Sequence, residues 1–138
     1  MIVQGQTTSF KKELYLGVHD LDTDTIKIAL YTGFADLNAD TTAYSSTNEI
    51  TGTGYTATGK VLENPTVNTS GSTAYVSFSN VTWNPAVFTA RCALIYNATK
   101  ANRSIAVLDF GSDKTATNTF TITMPANTAS AALIRSSY

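Results

Sequence analysis

The chain has 138 residues, a common size for one domain, and 43% of them are hydrophobic, which is typical of a globular protein. Charged residues make up 14% and the formal net charge is −1, so the sequence offers no basic stripe for the phosphates of a nucleic acid. No apolar run approaches the length of a membrane span, and no signal-peptide pattern follows Met1. We therefore predict one domain over residues 1–138, with neither nucleic acid nor membrane as a partner.

The first predicted element is a short amphipathic helix over Ser9 to Leu16, within an N-terminal arm and helix that span residues 1–17. Thr8 or Ser9 can cap its N-terminus, and Gly17 is placed to end it. The residues expected to face the core are Phe10, Leu14 and Tyr15, and those expected to face solvent are Lys11, Lys12 and Glu13.

After the helix the hydrophobic period changes to two residues, which is typical of strands. The nearly continuous apolar run from Thr89 to Tyr96 predicts a central strand buried on both faces, paired as a hairpin with Ser104 to Phe110. The predicted strands are 25–32, 59–62, 66–69, 73–78, 81–83, 89–96, 104–110, 119–124 and 131–135. Their number and spacing predict an all-β fold, an antiparallel β-sandwich of the jelly-roll or immunoglobulin-like kind with one short N-terminal helix.

Three connections stand out between these strands. Asp36 to Gly54 is longer than an ordinary connection and poor in strand-forming residues, which predicts a functional or interface loop with one helical turn at Ala39 to Tyr44. Ser70 and Gly71 are expected to form a hairpin turn. Asp113 to Asn118 is predicted as a loop.

The sequence shows no catalytic constellation. His19 is the single histidine, so a Ser-His-Asp or Cys-His arrangement would have to use it, yet no G-x-S-x-G motif is present. Cys92, the single cysteine, lies among apolar residues, and the neighbouring Arg91 is expected on the opposite face of its strand. We predict that the chain is not an enzyme and that Cys92 is a small buried hydrophobic residue.

Asp20, Asp22 and Asp24 have the spacing that opens a calcium-binding loop. The pattern then fails, because Thr25 occupies the glycine position and Tyr31 occupies that of the bidentate glutamate. An acidic turn is favoured, and a weak structural cation site stays open. We predict no metal and no cofactor.

The surface chemistry of the sequence leaves two further functions to consider. The first is a small glycosidase, which needs two flanking acids, and its candidates are Glu49, Glu63 and Asp109. The second is a carbohydrate-binding module for host attachment, and its candidate rings are Trp83, Tyr31, Tyr44, Tyr55 and Tyr75. Nothing in the sequence pairs the acids, and aromatic residues of β-proteins more often serve as core or interface anchors.

Three stretches together resemble a family of small virion proteins encoded by tailed bacteriophages. They are Phe10 to Tyr31, Tyr44 to Gly59 with its core Glu49-Ile50-Thr51-Gly52-Thr53-Gly54-Tyr55, and Val81 to Lys114. The resemblance covers nearly the whole chain and contains no mechanistic motif, so it supplies no catalytic residue to carry over.

The resemblance implies a component of the virion, assembled in the bacterial host cytoplasm. Within that class it implies a capsid cement (decoration) protein, a homo-oligomer that docks on the outer face of the head and clamps neighbouring major capsid subunits. The alternative is a neck, tail or fibre-associated adaptor. For either role we predict the N-terminal arm Met1 to Ser9 and the loop Asp36 to Tyr55 as contact elements. The predicted anchors are Phe34, Tyr44 and Tyr55.

Overall fold

The computed structural model describes residues 1–137 and shows a mostly antiparallel β-structure with one short helix. The helix α1 is Thr8–Tyr15. The strands are β1 (Gly5–Gln6), β2 (Ile26–Tyr31), β3 (Lys60–Val61), β4 (Thr66–Ser70), β5 (Thr73–Ser77), β6 (Val81–Trp83), β7 (Phe88–Asn97), β8 (Arg103–Ala116), β9 (Phe120–Ile122) and β10 (Ile134–Ser137). The all-β class and the single N-terminal helix are thereby confirmed.

The strands form three antiparallel sheets. The largest has five strands in the order β1-β8-β7-β2-β3, and the others have the orders β10-β5-β4 and β6-β9. The predicted hairpins β4–β5 and β7–β8 are both present. No helix of residues 1–137 has both the length and the apolar character needed to cross a membrane.

The main hydrophobic core lies between one face of the five-stranded sheet, the two smaller sheets and the helix. The large sheet contributes Ile28, Leu30 and Ile95, which are fully buried. The smaller sheets contribute Val76, Trp83, Phe120, Ile122 and Ile134, and the helix contributes Phe10. This packing of sheets across a shared core fits an all-β sandwich.

The opposite face of the large sheet is also covered. Tyr31, Leu94 and Tyr96 form a second buried cluster on that face, and Ala35 and Leu37 of the long connection pack on it. The connection after β2 therefore covers this face of the sheet. The expectation that β7 is a central strand buried on both faces is confirmed.

The helix differs from its prediction at both ends. Thr7 is the N-cap, one residue earlier than expected, and its Oγ1 accepts from the N–H of Phe10 at 3.3 Å. The helix ends at Tyr15, and Gly17 follows it with φ +70° as predicted. Tyr15 was expected inside but is 93% exposed. Glu13 was expected outside but is only 8% exposed, because its carboxylate binds partners from other elements.

The end of β8 was also predicted incorrectly. The sequence suggested that the strand ends at Gly111, but β8 continues to Ala116. The register changes abruptly, because the pair Cys92–Asp109 is followed along β8 by the pair Ala90–Lys114. Residues 110–113 therefore bulge out of the ladder, and Lys114 to Ala116 pair with β7 again.

Smaller differences concern short elements. The predicted helical turn at residues 39–44 is absent, and Asn38 instead forms a turn by accepting from the N–H of Asp40 at 2.9 Å. The last strand begins at Ile134, later than predicted, because the N–H groups of Ala131 and Ala132 are bonded to the carbonyl of Thr128 in a turn. Strand β1 was missed, since two residues carry no periodic signal.

Candidate interaction surface

The two predicted contact elements lie side by side. The N–H of Val3 donates to the carbonyl of Leu37 at 2.9 Å, and the N–H of Thr8 donates to the carbonyl of Ala39 at 2.9 Å. Ile2 and Leu37 form a parallel bridge. The N-terminal arm (residues 1–9) and the connection of residues 32–59 therefore make one continuous surface, which we call the arm–loop surface.

The connection is fixed to the edges of the sheet along its length. The N–H of Ile50 donates to the carbonyl of Leu30 at 3.0 Å, and the N–H of Thr32 donates to the carbonyl of Asn48 at 2.9 Å. Farther along, the N–H of Tyr44 donates to the carbonyl of Asn102 at 2.9 Å. A long connection without regular structure is thus held in place by backbone hydrogen bonds at several points.

A single carboxylate organises the interior of this connection. Glu49 Oε1 accepts from the Tyr44 hydroxyl at 2.5 Å, and Glu49 Oε2 accepts from the Tyr55 hydroxyl at 2.5 Å and from the N–H of Thr58 at 2.9 Å. The Tyr55 hydroxyl in turn accepts from the N–H of Leu30 of β2 at 3.0 Å. We call Tyr44, Glu49, Tyr55 and the Thr58 N–H the tyrosine–carboxylate cluster.

The electrostatics of this cluster keep its hydroxyls protonated. Burial, and then the hydrogen bond to Glu49, raises the pKa of both Tyr44 and Tyr55 well above the ordinary value. Both hydroxyls therefore remain protonated, and able to donate, at neutral pH. Since three donors converge on one carboxylate, the cluster ties both halves of the connection to β2.

The three predicted anchors have different environments. Phe34 is 87% exposed and presents its ring to solvent, next to a depression of about 350 Å³ lined also by Thr89 and Arg91. Tyr44 and Tyr55 are only half-buried, but their hydroxyls are bonded to Glu49. Of the three, Phe34 has its whole ring available to a partner.

A second depression, of about 420 Å³, opens in the arm–loop surface itself. Its walls combine Asp36 and Asp40 with amides and hydroxyls such as those of Asn38, Thr42 and Asn48. One of the two acids is already paired, since Asp36 Oδ1 lies 3.0 Å from the N-terminal ammonium. The depression therefore offers mainly neutral hydrogen-bonding groups.

The single histidine is enclosed by structural partners. The His19 side chain is fully buried, with Nε2 2.9 Å from Glu13 Oε1 and Nδ1 3.0 Å from the amide nitrogen of Asn97. The Asn97 Oδ1 accepts from the N–H groups of Thr99 and Lys100, which fixes the orientation of the amide so that its nitrogen donates to Nδ1. His19 Nε2 then donates to Glu13, and neither ring nitrogen is left to act as a general base.

Charges extend this group into what we call the histidine cluster, formed by Glu13, His19, Asp24, Asn97, Lys100 and Arg103. Arg103 Nη1 donates to Glu13 Oε2 at 2.7 Å, and Lys100 Nζ donates to Asp24 at 2.9 Å. Burial alone raises the pKa of Glu13, but its bonds to His19 and Arg103 outweigh burial and hold the pKa below its ordinary value. Asp24 behaves alike: burial raises its pKa, and Asn97, a backbone N–H and Lys100 together lower it.

The acidic turn is occupied by the protein's own donors. Asp20 Oδ1 accepts from the N–H groups of Asp22 and Thr23, at 3.1 and 3.2 Å, and Asp24 is bonded to Lys100 and Asn97. Among residues 1–137 no group of three or more His, Cys, Asp or Glu side chains is arranged to hold a metal ion. The turn is thus built by hydrogen bonds.

Cys92 is fully buried, and burial, followed by the charge of Asp109, raises the pKa of its thiol to about 11. Its sulfur is therefore a thiol at neutral pH and a poor nucleophile. Arg91 forms its ion pair with Asp109, at 3.4 Å.

The other candidate residues of the sequence are not brought together. Glu49 is bonded to tyrosines, Asp109 to Arg91, and Glu63 is exposed beside Lys60, so no contact joins these acids in pairs. Trp83 is 2% and Tyr31 1% exposed, so neither presents a ring face to a sugar.

Comparisons with protein-family models, with curated proteins and with solved structures found no match for this chain.

Sequence reasoning missed Glu49 as an organising residue, because its partners are set by how the connection folds. A weak signal was present: an acid between two tyrosines, Tyr44 and Tyr55, in a segment with few other charges. Glu13 gave no such signal, since Arg103 is 90 positions away.

Proposed function

We propose that this chain is a non-enzymatic virion structural protein of a tailed bacteriophage, and specifically a capsid cement (decoration) protein. It binds the outer surface of the head and stabilises contacts between major capsid subunits. The proposal rests on the sequence resemblance and on one structural observation, the arm–loop surface. The proposed topology is a jelly-roll or immunoglobulin-like sandwich, and the proposed location is the virion.

The arm–loop surface supports this role because it joins two segments that are separate in the sequence into one continuous contact area. A cement protein needs loops held in fixed positions by a stable scaffold, so that many copies dock identically. Here the scaffold is a sheet buried on both faces. The N–H of Ile50 fixes the connection to Leu30 of β2, and the N–H of Thr7 fixes the arm to Ile105 of β8. Phe34 supplies an exposed aromatic anchor within the same surface.

The charge of the surface also supports close packing of many copies. The formal net charge of −1 means that neighbouring copies on a lattice repel each other little. A protein that binds the assembled shell and not its separate subunits stabilises the shell by mass action. The neutral hydrogen-bonding groups around Asn38 and Asn48 suit a protein partner.

The surroundings of the residues that a hydrolase would need support the proposal that the chain is not an enzyme. Both nitrogens of His19 are engaged, and the thiol of Cys92 is buried with a raised pKa. The carboxylate of Glu49 is bonded to tyrosines, that of Asp109 is paired with Arg91, and Glu63 lies exposed, apart from both. No pair of these groups is arranged as a hydrolase would need it.

The test is the copy number of this chain in purified virions, measured by quantitative mass spectrometry against the major capsid protein. A copy number of the same order as that of the capsid protein is expected for a lattice-covering cement protein. A few copies to a few tens would overturn the cement role in favour of the neck, tail or fibre adaptor. Absence from the particle would overturn the virion role altogether.

A further inference from the structure

Strand β4 is an unprotected sheet edge. Its five residues, Thr66–Ser70, are all exposed and include no charged residue and no proline. The other sheet edges are short, bulged or charged: β1 and β3 have two residues each, β6 and β9 have three, β8 carries the bulge and Lys114, and β10 carries Arg135. Proteins use these devices to prevent edge-to-edge pairing, so their absence at β4 indicates an edge that is paired.

The β4–β5 hairpin determines which backbone groups face outward. Its loop consists of Gly71 and Ser72, with φ +59° at Gly71 and Ser70 directly opposite Thr73. In such a two-residue hairpin the pair that closes the loop exchanges hydrogen bonds, and successive residues alternate. Ser70, Asn68 and Thr66 therefore bond to β5, while Val67 and Thr69 turn their N–H and C=O groups to the open edge.

We propose that β4 pairs antiparallel with β4 of a second copy of this chain, about a two-fold axis that passes beside Asn68. Val67 of each copy then exchanges two hydrogen bonds with Thr69 of the other copy, and the two three-stranded sheets become one continuous sheet of six strands. The interface is isologous, with the same strand on both sides.

The composition of the strand favours a second copy as the partner. Symmetric pairing places Asn68 opposite Asn68, Val67 opposite Thr69 and Thr66 opposite Ser70, so no like charges meet. A charged peptide would find no countercharge on this strand. Val67 adds an apolar contribution, since it is 53% exposed beside a depression of about 580 Å³.

This dimer does not depend on the proposed virion role, because it is a property of the purified protein. Wild-type protein, measured by sedimentation across concentrations up to the millimolar range, is expected to show a monomer–dimer equilibrium. Asn68→Lys places two ammonium groups face to face and should reduce the mass to that of the monomer, with thermal unfolding unchanged. Thr119→Lys, which adds the same charge at another exposed position, should leave the dimer intact.

Disulfide trapping tests the register. Residues at position 68 face each other as a non-hydrogen-bonded pair with Cα atoms about 4.5 Å apart, which is within the reach of a disulfide. Asn68→Cys should therefore yield a crosslinked dimer under a mild oxidant. Ser70→Cys, on the same face, should not, because its two copies lie about 14 Å apart. Cys92 stays buried in both variants and gives no background.

A wild-type protein that is monomeric at every concentration would overturn the proposal, as would equal crosslinking of the two cysteine variants. A dimer that Thr119→Lys abolishes and Asn68→Lys leaves intact would place the interface elsewhere and also overturn it. None of these results bears on the copy number in virions, so the dimer and the cement role fail separately.

Discussion

The histidine cluster and the tyrosine–carboxylate cluster perform the same task at two places by different chemistry. The histidine cluster ties α1 and the turn after it to the β7–β8 hairpin, through ion pairs such as Glu13–Arg103. The tyrosine–carboxylate cluster ties the long connection to β2 through neutral donors on Glu49. Among residues 1–137 no cation lies within ion-pair distance of Glu49.

Because the two clusters use different chemistry, we expect them to respond differently to salt and to acid. Ion pairs that include a partly exposed lysine or arginine are weakened by salt and lost in acid. A carboxylate held by hydroxyls and a backbone N–H depends instead on the position of its donors. The connection that carries the arm–loop surface is therefore fixed by geometry, while the helix end is fixed largely by charge.

The largest expected effect on stability comes from a substitution at Gly59, where the connection packs against β2. A Cβ added at Gly59, whose φ is +82°, would overlap the carbonyl of Ile28. Gly59→Ala should lower the free energy of unfolding by about 4 kcal/mol or more, as measured by urea denaturation. Gly71→Ala is the control, because φ is also positive there but nothing lies nearby, so a cost of about 1–2 kcal/mol is expected. Equal losses would show that Gly59 is needed for its φ alone.

Removal of the central carboxylate is next in magnitude. Glu49→Ala leaves the hydroxyls of Tyr44 and Tyr55 and the N–H of Thr58 without their acceptor, which should cost about 3 kcal/mol. Thermal or urea unfolding checks the value. Glu63→Ala, at an exposed position, should stay within about 0.5 kcal/mol of the wild type. A small loss for Glu49→Ala would mean that the cluster does not hold the connection.

The pH dependence of stability sharpens the comparison. The folded-state pKa of Glu13 and of Asp24 is lowered, so their contribution to stability is present above the ordinary values of 4.5 and 3.8 and is lost as the pH falls through the lowered ones. Glu13→Gln should therefore flatten the acid limb of a plot of unfolding free energy against pH. Asp22→Asn, which removes an exposed carboxylate from the middle of the acidic turn, is the matched control. The same change in both variants would assign the acid sensitivity to other groups.

The next prediction concerns the rate at which the Cys92 thiol reacts with a reagent, and not the stability of the protein. The thiol is fully buried and its pKa is raised to about 11, so the native protein should react with an aromatic disulfide reagent only as fast as it unfolds. Absorbance of the released thiolate measures the rate, and the same protein in denaturant supplies the fully reactive reference. Immediate reaction of the folded protein would contradict the buried position.

Phe34 should contribute least to stability and most to docking. Because its ring is 87% exposed, Phe34→Ala should change the free energy of unfolding by less than about 0.5 kcal/mol. Binding of the purified variant to particles that lack this protein should nevertheless weaken measurably. Leu16→Ala, at a residue that is 66% exposed at the end of the helix and outside the arm–loop surface, serves as the control for a lost apolar side chain. Equal binding by both variants would remove Phe34 from the contact.

Local patterns in the sequence determined the elements. Alternation at Ile26, Ile28 and Leu30 predicted β2, and the apolar run that ends at Tyr96 predicted a strand buried on both faces. Gly17 marked the end of the helix. These features depend on neighbours within a few residues, so the period of the side chains and the backbone freedom of glycine are enough to indicate them.

Only the tertiary structure decided the attachments between elements. Glu13 was expected to face solvent, but in the structure its carboxylate is bonded to Arg103, which is 90 positions away. Lys114 to Ala116 were expected as loop, but they pair with β7 and so belong to β8. Glu49 became the centre of its cluster because the connection folds back onto β2. Each of these contacts joins groups distant in the chain, and no local spacing encodes which distant donor a buried carboxylate will meet.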